Sequence, residues 1–286
     1  MSHALTRIAL STAVVICATH TVHAELTLIT QFNPNNMIEI DSIAFDYISD
    51  TVWVYGENAS DLRQYSTSGV FLQAIPRPGE QSNDADLDIA SEELVINETL
   101  VPAGTLLFTN GETDTAEIYA IDPDTGDVLA TLNTAFGVDH VVGGAYHSER
   151  NTFFLVQDRG PSLEADENII AEIDPVDGSV LNSFKIDHLL PDFFVRYGDI
   201  DISPVLGGLY VVSDSQTSIA HFSPGGSFIR TLDLPVGVSG LSGIGLADDE
   251  SGSAWVTSQS GVISLLNGFS MTVLLGDLNG DGFVGI

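Results

Sequence analysis

The sequence predicts an all-β fold, a β-propeller of about five four-stranded blades. Three observations lead to this prediction. One strand pattern recurs five times, turns that contain glycine recur at intervals of about 40 to 60 residues, and almost no segment has the periodicity of a helix. A β-sandwich also has short, regularly spaced strands, but it does not predict a four-strand pattern that recurs five times.

Each repeat is recognised by its second strand, which is rich in β-branched and aromatic residues. These second strands are predicted at residues 51–55, 105–108, 153–156, 209–212 and 254–256. Trp53 and Trp255 occupy equivalent positions in two of them. We therefore interpret both side chains as blade core rather than as platforms for sugar binding.

The third and fourth strands of each repeat are predicted to form a hairpin, because proline presets φ in its turn and glycine accepts a positive φ. The turns are predicted at residues 66–69, 122–126, 174–178, 223–226 and 267–268. One further strand, at residues 26–32, precedes the first repeat. It either closes the ring by joining the last blade, which is the preferred interpretation, or belongs to a sixth, incomplete blade.

The composition is strongly acidic. Among 286 residues there are 40 Asp and Glu against 8 Lys and Arg, which gives a formal net charge of −32. Nucleic-acid binding is excluded, because eight scattered cations cannot build a patch that neutralises phosphates. A basic partner or a cation remains compatible with this charge, and repulsion between like-charged chains favours a monomer.

The first 24 residues have the pattern of a secretory signal peptide. Arg7 precedes an apolar run over residues 8–18, and residues 22–24 offer the small side chains that a signal peptidase recognises. We therefore expect a secreted protein, extracellular or periplasmic. Removal of this segment also removes Cys17, the single cysteine, so we expect no disulfide in the mature chain. No later segment is apolar enough to span a membrane.

Two blocks, at residues 121–129 and 199–214, resemble the repeats of secreted NHL-type and phytase-like β-propellers. The resemblance covers most of residues 40–275 and rests on general blade residues. It implies a propeller domain over residues 25–275, and it implies the fold far more strongly than any activity.

Residues 276–286 contain the most specific local motif. Asp277, Asn279 and Asp281 match the oxygen ligands at positions 1, 3 and 5 of an EF-hand-like calcium loop, and Phe283 offers the backbone carbonyl of position 7. The run 276–282 resembles the opening of a type I dockerin repeat, which implies a cohesin-like partner. The sequence lacks the carboxylate of position 12, and the alternative is a solvated acidic tail.

Ligand sites of propellers usually lie where the innermost strands begin, because those side chains converge on the central channel. Alignment of the repeats places these residues near that ring: Asp41, Asp86, Asp139 or His140, Asp199 and Ser242. The pattern Asp-x-Asp-Ile at 86–89 recurs at 199–202, and strand alternation puts both aspartates of each pair on one face. Such carboxylates are candidate ligands for Ca²⁺. The alternative is that they accept hydrogen bonds from turn amides.

These patterns favour a secreted binding or scaffold module over an enzyme. We expect calcium dependence and a glycan or cohesin-like partner, as in an assembly that degrades polysaccharides. The sequence has no G-x-S-x-G elbow, no thiol after removal of the signal segment, and no histidine pair typical of zinc sites. The alternative is a calcium-assisted hydrolase of the lactonase or phosphatase type, with Asp86 and Asp199 as metal ligands and His140 as a base.

Overall fold

The computed structural model describes most of the chain between Ala24 and Ser270. The described residues are 24–34, 37, 39–56, 59–80, 84–111, 115–137, 140–158, 168–203, 205–247 and 251–270. Three predictions fall outside them: nearly all of the signal segment, the ring residue Asp139, and the calcium loop with Asp277, Asn279, Asp281 and Phe283.

Two N-terminal strands precede the first blade: β1 (Ala24–Glu25) and β2 (Thr27–Phe32). Blade 1 consists of β3 (Ser42–Asp46), β4 (Thr51–Tyr55), β5 (Asp61–Ser66) and β6 (Phe71–Pro76). Blade 2 begins with β7 (Ala85–Ile89), continues after a small hairpin of β8 (Leu94–Ile96) and β9 (Thr99–Val101), and ends with β10 (Leu106–Asn110), β11 (Glu117–Ile121) and β12 (Val128–Asn133).

Blade 3 consists of β13 (Val141–His147), β14 (Thr152–Gln157), β15 (Ile169–Ile173) and β16 (Val180–Lys185), with a 3-10 turn at Ser148–Arg150. A one-turn helix, α1 (Ile186–Leu189), leads to blade 4, which consists of β17 (Gly198–Ile202), β18 (Leu209–Ser213), β19 (Ser218–Phe222) and β20 (Phe228–Asp233). Blade 5 consists of β21 (Leu241–Leu246), β22 (Ser253–Ser258), β23 (Ile263–Asn267) and, as its outermost strand, β2.

The five innermost strands form a closed ring, in which β3 contacts β7, β7 contacts β13, β13 contacts β17, β17 contacts β21, and β21 returns to β3. The N-terminal segment completes the closure. Strand β2 pairs antiparallel with β23, from Thr27 opposite Asn267 to Phe32 opposite Ile263, while β1 pairs parallel with the edge of blade 4. The prediction of a propeller is therefore confirmed with five blades, and the alternative of a sixth blade is wrong.

Four of the five predicted hairpin turns are confirmed, and each has a glycine at positive φ: Gly69, Gly126, Gly178 and Gly226. The fifth prediction, a hairpin around 267–268, is wrong. Strand β23 ends at Asn267, and its outer partner is the N-terminal strand β2 rather than the next segment of chain. The turn signal there marks the end of a strand, because ring closure supplies the fourth strand from the other end of the chain.

The core lies between neighbouring blades, and Trp53 and Trp255 belong to it, since they are 0% and 3% exposed. Around the channel the innermost strands approach very closely. A Cβ atom on Gly143 of blade 3 would lie 2.6 Å from the backbone nitrogen of Ile200 in blade 4. Only glycine permits this approach. The middle of the channel is therefore packed with protein, and its cavities lie at the two ends.

Candidate functional site

One end of the channel, which we call the upper opening, lies where the innermost strands begin. It is a depression of about 210 Å³ that includes open solvent. All five blades meet there, and the lining residues are Asp41, Asp84, Ala85, Val142, Tyr197, Gly198 and Ser242. The enclosed part of this space is only about the size of a water molecule, so the depression suits an ion or one chemical group of a larger ligand.

A cluster of Asp84, His140 and Asp158 lies beside the upper opening and shares Asp84 with it. The Nδ1 atom of His140 lies 2.9 Å from Oδ2 of Asp84 and 3.6 Å from Oδ1 of Asp158. Both carboxylates are only 4% exposed, whereas the imidazole is 25% exposed. Two buried acids and one partly exposed imidazole therefore lie against one another.

The backbone positions the three side chains through a short chain of hydrogen bonds. The amide of Gly111 donates to the carbonyl of Asp84 over 2.8 Å, and the amide of His140 donates to the carbonyl of Gly111 over 2.9 Å. The amide of Asp158 then donates to the carbonyl of His140 over 2.9 Å. The cluster is thus tied to the start of β7, the start of β13 and the end of β14.

His140 has a strained backbone, with φ at +117°. This conformation is unfavourable for a residue with a Cβ atom and costs on the order of 1–3 kcal/mol. The hydrogen bonds on either side of His140 hold it there. Strain of this kind concentrates at functional sites, and here it accompanies the placement of the imidazole between the two carboxylates.

The cluster supports two kinds of chemistry that compete for one atom. The ligand atoms of the three residues lie within 4.8 Å of one another, which is a spacing that a single divalent cation can bridge. Alternatively, Nδ1–H of His140 donates a hydrogen bond to Asp84 and leaves Nε2 as a proton acceptor. Nδ1 cannot bind a metal and carry a proton at the same time.

The structure brings together part of the predicted ring. Asp41 and Ser242 line the upper opening, and His140 belongs to the neighbouring cluster. The Ser242 hydroxyl donates to the carbonyl of Ile40, which positions it on the backbone that leads to Asp41.

Asp86 and Asp199 lie deeper, inside the channel, and are 1% and 0% exposed. Asp86 accepts the amide of Gly144 and Asp199 accepts the amide of Ile244, each over 2.8 Å and each from the next blade. Burial raises the pKa of Asp86 to about 8, although hydrogen bonds from Asp199 and Gly144 oppose the shift. Burial and the neighbouring charge of Asp86 raise the pKa of Asp199 as well. The two carboxyls therefore hold protons more strongly than exposed aspartates do.

Sequence reasoning missed Asp84 and Asp158. A signal for Asp84 was present, since it extends the alternating pattern of Asp86 and Asp88 by one step towards the strand start. Asp158 gave no such signal, because it follows a second strand rather than preceding an innermost one.

In the described part of the chain, no helix is long and apolar enough to cross a membrane.

Comparison with known proteins adds one finding. A family model described as SdiA-regulated, which represents a β-propeller-like family, matches residues 20–262. The match covers blades 1 to 4 and extends into blade 5, whose strand β23 begins just beyond it at Ile263. A search of curated proteins found no match.

Proposed function

The chain belongs to the SdiA-regulated family, and we propose that it is an extracellular binding module that holds a divalent cation at its upper opening. The observation that carries this proposal is the convergence of Asp84, His140 and Asp158 on one point. The proposed location outside the cell rests on the signal-peptide pattern of residues 1–24.

The charges of the cluster favour a cation. Asp84 and Asp158 are both buried, and their negative charges repel each other more strongly there than in water. Asp41 adds a third carboxyl at the same opening. A divalent cation offsets this repulsion. Neighbouring ligand atoms of such an ion are about 3 Å apart, which is comparable with the 2.9 and 3.6 Å separations in the cluster.

The ligand chemistry limits the candidate ions to Ca²⁺, Mn²⁺ and Zn²⁺. Carboxylate oxygens suit Ca²⁺, the ion expected from the sequence, while an imidazole nitrogen suits Mn²⁺ or Zn²⁺. Three protein ligands leave coordination positions open towards solvent. Vicinal hydroxyl groups of a glycan are suitable occupants of those positions, and Tyr197, which is 41% exposed at the same opening, offers a ring for sugar stacking. We propose a glycan as the ligand on this basis.

The tail remains a separate proposal. Asp277, Asn279, Asp281 and the carbonyl of Phe283 are proposed as a second, weak calcium site, and the dockerin resemblance of residues 276–282 supports a cohesin-like partner. Both proposals rest on sequence alone.

The test is calorimetric titration of the full secreted chain with Ca²⁺, Mn²⁺ and Zn²⁺. We expect a site at the cluster, distinct from the weak tail site, that is lost in Asp84→Asn, Asp158→Asn and His140→Ala. Asp124→Asn, which removes the same charge from an exposed turn, should leave the site intact. A variant with Asp277→Ala and Asp281→Ala removes the contribution of the tail. Unchanged binding in all three cluster variants would overturn the proposal.

A hydrolase is the second candidate, favoured by the hydrogen bond between His140 and Asp84. With Nδ1 protonated and held by Asp84, Nε2 could accept a proton from an attacking water molecule. Asp86 and Asp199 are not among the residues that line the upper opening in the described part of the chain, so in this version the two residues expected as metal ligands lie apart from the base. Assays with lactone and phosphomonoester substrates test it: activity abolished in His140→Ala supports it, and no turnover by the wild type rejects it.

A further inference from the structure

The segment after the last strand, residues 268–270, lies against blade 4. The ring of Phe269 is fully buried and contacts the ring of Tyr210 edge-on, with the ring centres 5.5 Å apart. The carbonyl of Phe269 accepts a hydrogen bond from Nη2 of Arg230 over 2.6 Å and one from the hydroxyl of Tyr210 over 3.4 Å. Its amide donates to the carbonyl of Gly252 in blade 5 over 3.0 Å. Residue 269 is thus held between blades 4 and 5.

The two side chains that hold this carbonyl flank a buried histidine. The strand register of blade 4 places Tyr210, His221 and Arg230 directly beside one another on three neighbouring strands. The imidazole of His221 is stacked on the ring of Tyr210, with the ring centres 4.1 Å apart. Tyr210 and Arg230 therefore reach the carbonyl of Phe269 from opposite sides of His221.

We propose that these residues form an acid-sensitive latch: protonation of His221 releases residues 268–270 from blade 4 while the five-bladed ring remains folded. The latch is independent of the cation site, because it contains no residue of the cluster at the upper opening.

The first argument is that the buried imidazole has no acceptor for a second proton. Nε2 of His221 is hydrogen-bonded to the carbonyl of Gly207, so this nitrogen carries the proton of the neutral ring. Nδ1 is buried and has no hydrogen-bond partner within the described part of the chain. Protonation would create a charged, buried donor without an acceptor, which is costly. This burial lowers the pKa of His221 to about 4.

The second argument is the charge of Arg230, which also disfavours protonated His221. The ion pairs found among the described residues involve Arg63, Arg150, Arg196 and His140, whereas Arg230 binds a neutral carbonyl. Protonation of His221 would therefore place two positive charges side by side, without a carboxylate bound to either in the described structure.

The other groups around His221 do not offset this repulsion. Asp201 continues the row beyond Tyr210, but its carboxylate accepts the amide of Leu246. The strands β21, β22 and β23 of blade 5, and the segments 205–208 and 268–270, contain no charged or titratable side chain. The titratable or charged side chains of the strands that flank β19, and of β1 at the outer edge of the blade, are Asp201, Tyr210, Arg230, Asp233 and Glu25.

The third argument concerns which part of the structure can move. Tyr210 and His221 belong to strands that are paired on both sides, so water reaches the imidazole from within the sheet only if the blade unfolds. Residues 268–270 lie beyond the last strand and are held by the bonds to Gly252, Arg230 and Tyr210. Detaching such a segment costs less free energy than opening a sheet. Protonation therefore favours the state in which this segment is detached and the imidazole is hydrated.

The experiment is amide hydrogen exchange of the full chain, measured by NMR at pH 7 and pH 4 and corrected for intrinsic exchange rates. The amide of Phe269 reports on the latch, and the amide of Phe108 in blade 2 reports on the ring. We expect the opening equilibrium at Phe269 to rise about a hundredfold between pH 7 and pH 4, because the imidazole pKa is about 4 when buried and about 6.5 when hydrated. Phe108 should remain far better protected at both pH values.

Two variants separate the parts of the latch. His221→Gln does not titrate and should abolish this rise. Arg230→Gln removes the charged donor to Phe269 and should raise its opening about tenfold at pH 7, whereas Arg63→Gln in blade 1 should have no effect at Phe269. Thermal melting confirms that each variant is folded.

Three results would overturn the proposal. One is a rise at Phe269 that is equally large in His221→Gln. Another is the same opening equilibrium at Phe269 and Phe108 at pH 4, because the opening would then be global; this comparison needs the wild type alone. The third is an unchanged opening at Phe269 in Arg230→Gln.

Discussion

The carboxylate of Asp199 in blade 4 accepts the backbone amide of Ile244 in blade 5 over 2.8 Å. Asp86 makes the same bond to Gly144 between blades 2 and 3. The repeated Asp-x-Asp pattern thus has a structural consequence that is independent of any ligand. It joins consecutive blades around the channel, at positions where no water can replace the bond.

We expect Asp199→Ala to lower the free energy of unfolding by about 2 kcal/mol, because it leaves the buried amide of Ile244 without an acceptor. Asp199→Asn retains an acceptor oxygen and should cost clearly less. Urea denaturation of both variants measures the difference. Equal midpoints for the two variants would show that this bond between blades does not contribute to stability.

The N-terminal strand is expected to contribute strongly to stability because it closes the ring. Leu26 is 1% exposed and packs in the core with residues of blades 4 and 5, whereas Ile29 is 59% exposed. Leu26→Ala should cost about 3 kcal/mol, and Ile29→Ala should change stability by less than about 0.5 kcal/mol. Thermal and urea unfolding provide the comparison, and a small effect of Leu26→Ala would contradict closure by this segment.

His221 predicts a loss of stability in acid. It is stacked on Tyr210 at 4.1 Å, and burial lowers its pKa to about 4. The unfolded chain has a histidine pKa of about 6.5 and binds more protons, so the stability contributed by neutral His221 is lost as the pH falls from about 6.5 to about 4.

The variant His221→Gln keeps a donor for the carbonyl of Gly207 but does not titrate in this range. Between pH 7 and pH 4 the wild type should lose about 3 kcal/mol more than this variant. Urea unfolding at several pH values measures both slopes. Parallel curves for the two proteins would show that His221 titrates normally in the folded state.

The strain at His140 predicts a difference between two truncations of its side chain. Both His140→Ala and His140→Gly remove the imidazole and should abolish cation binding. The glycine variant should be more stable than the alanine variant by about 1 kcal/mol, because glycine accepts the φ of +117° without strain. Denaturation of the two variants in the absence of added metal tests this, and equal stability would mean that the strained backbone relaxes once the side chain is removed.

Much of the fold was predictable from local patterns. The second strands, four hairpin turns and the burial of Trp53 and Trp255 follow from strand alternation and turn chemistry, which act within a few residues. For residues 26–32 the sequence favours a place in the last blade but does not exclude a sixth blade, because pairing across the whole chain has no local signature. For the same reason the sequence alone predicted a hairpin at 267–268, where the N-terminal strand actually completes the blade.

The repeat, the acidic charge and the paired aspartates on the innermost strands can be recognised without a structure, because they depend on composition and on a period of two residues. Which acids meet depends on the closed fold. Asp84 and Asp158 come from different blades and join His140 through backbone bonds around Gly111, while Asp86 and Asp199 face the packed interior. The curvature of a closed ring sets these distances, and ring closure depends on contacts between residues far apart in the chain.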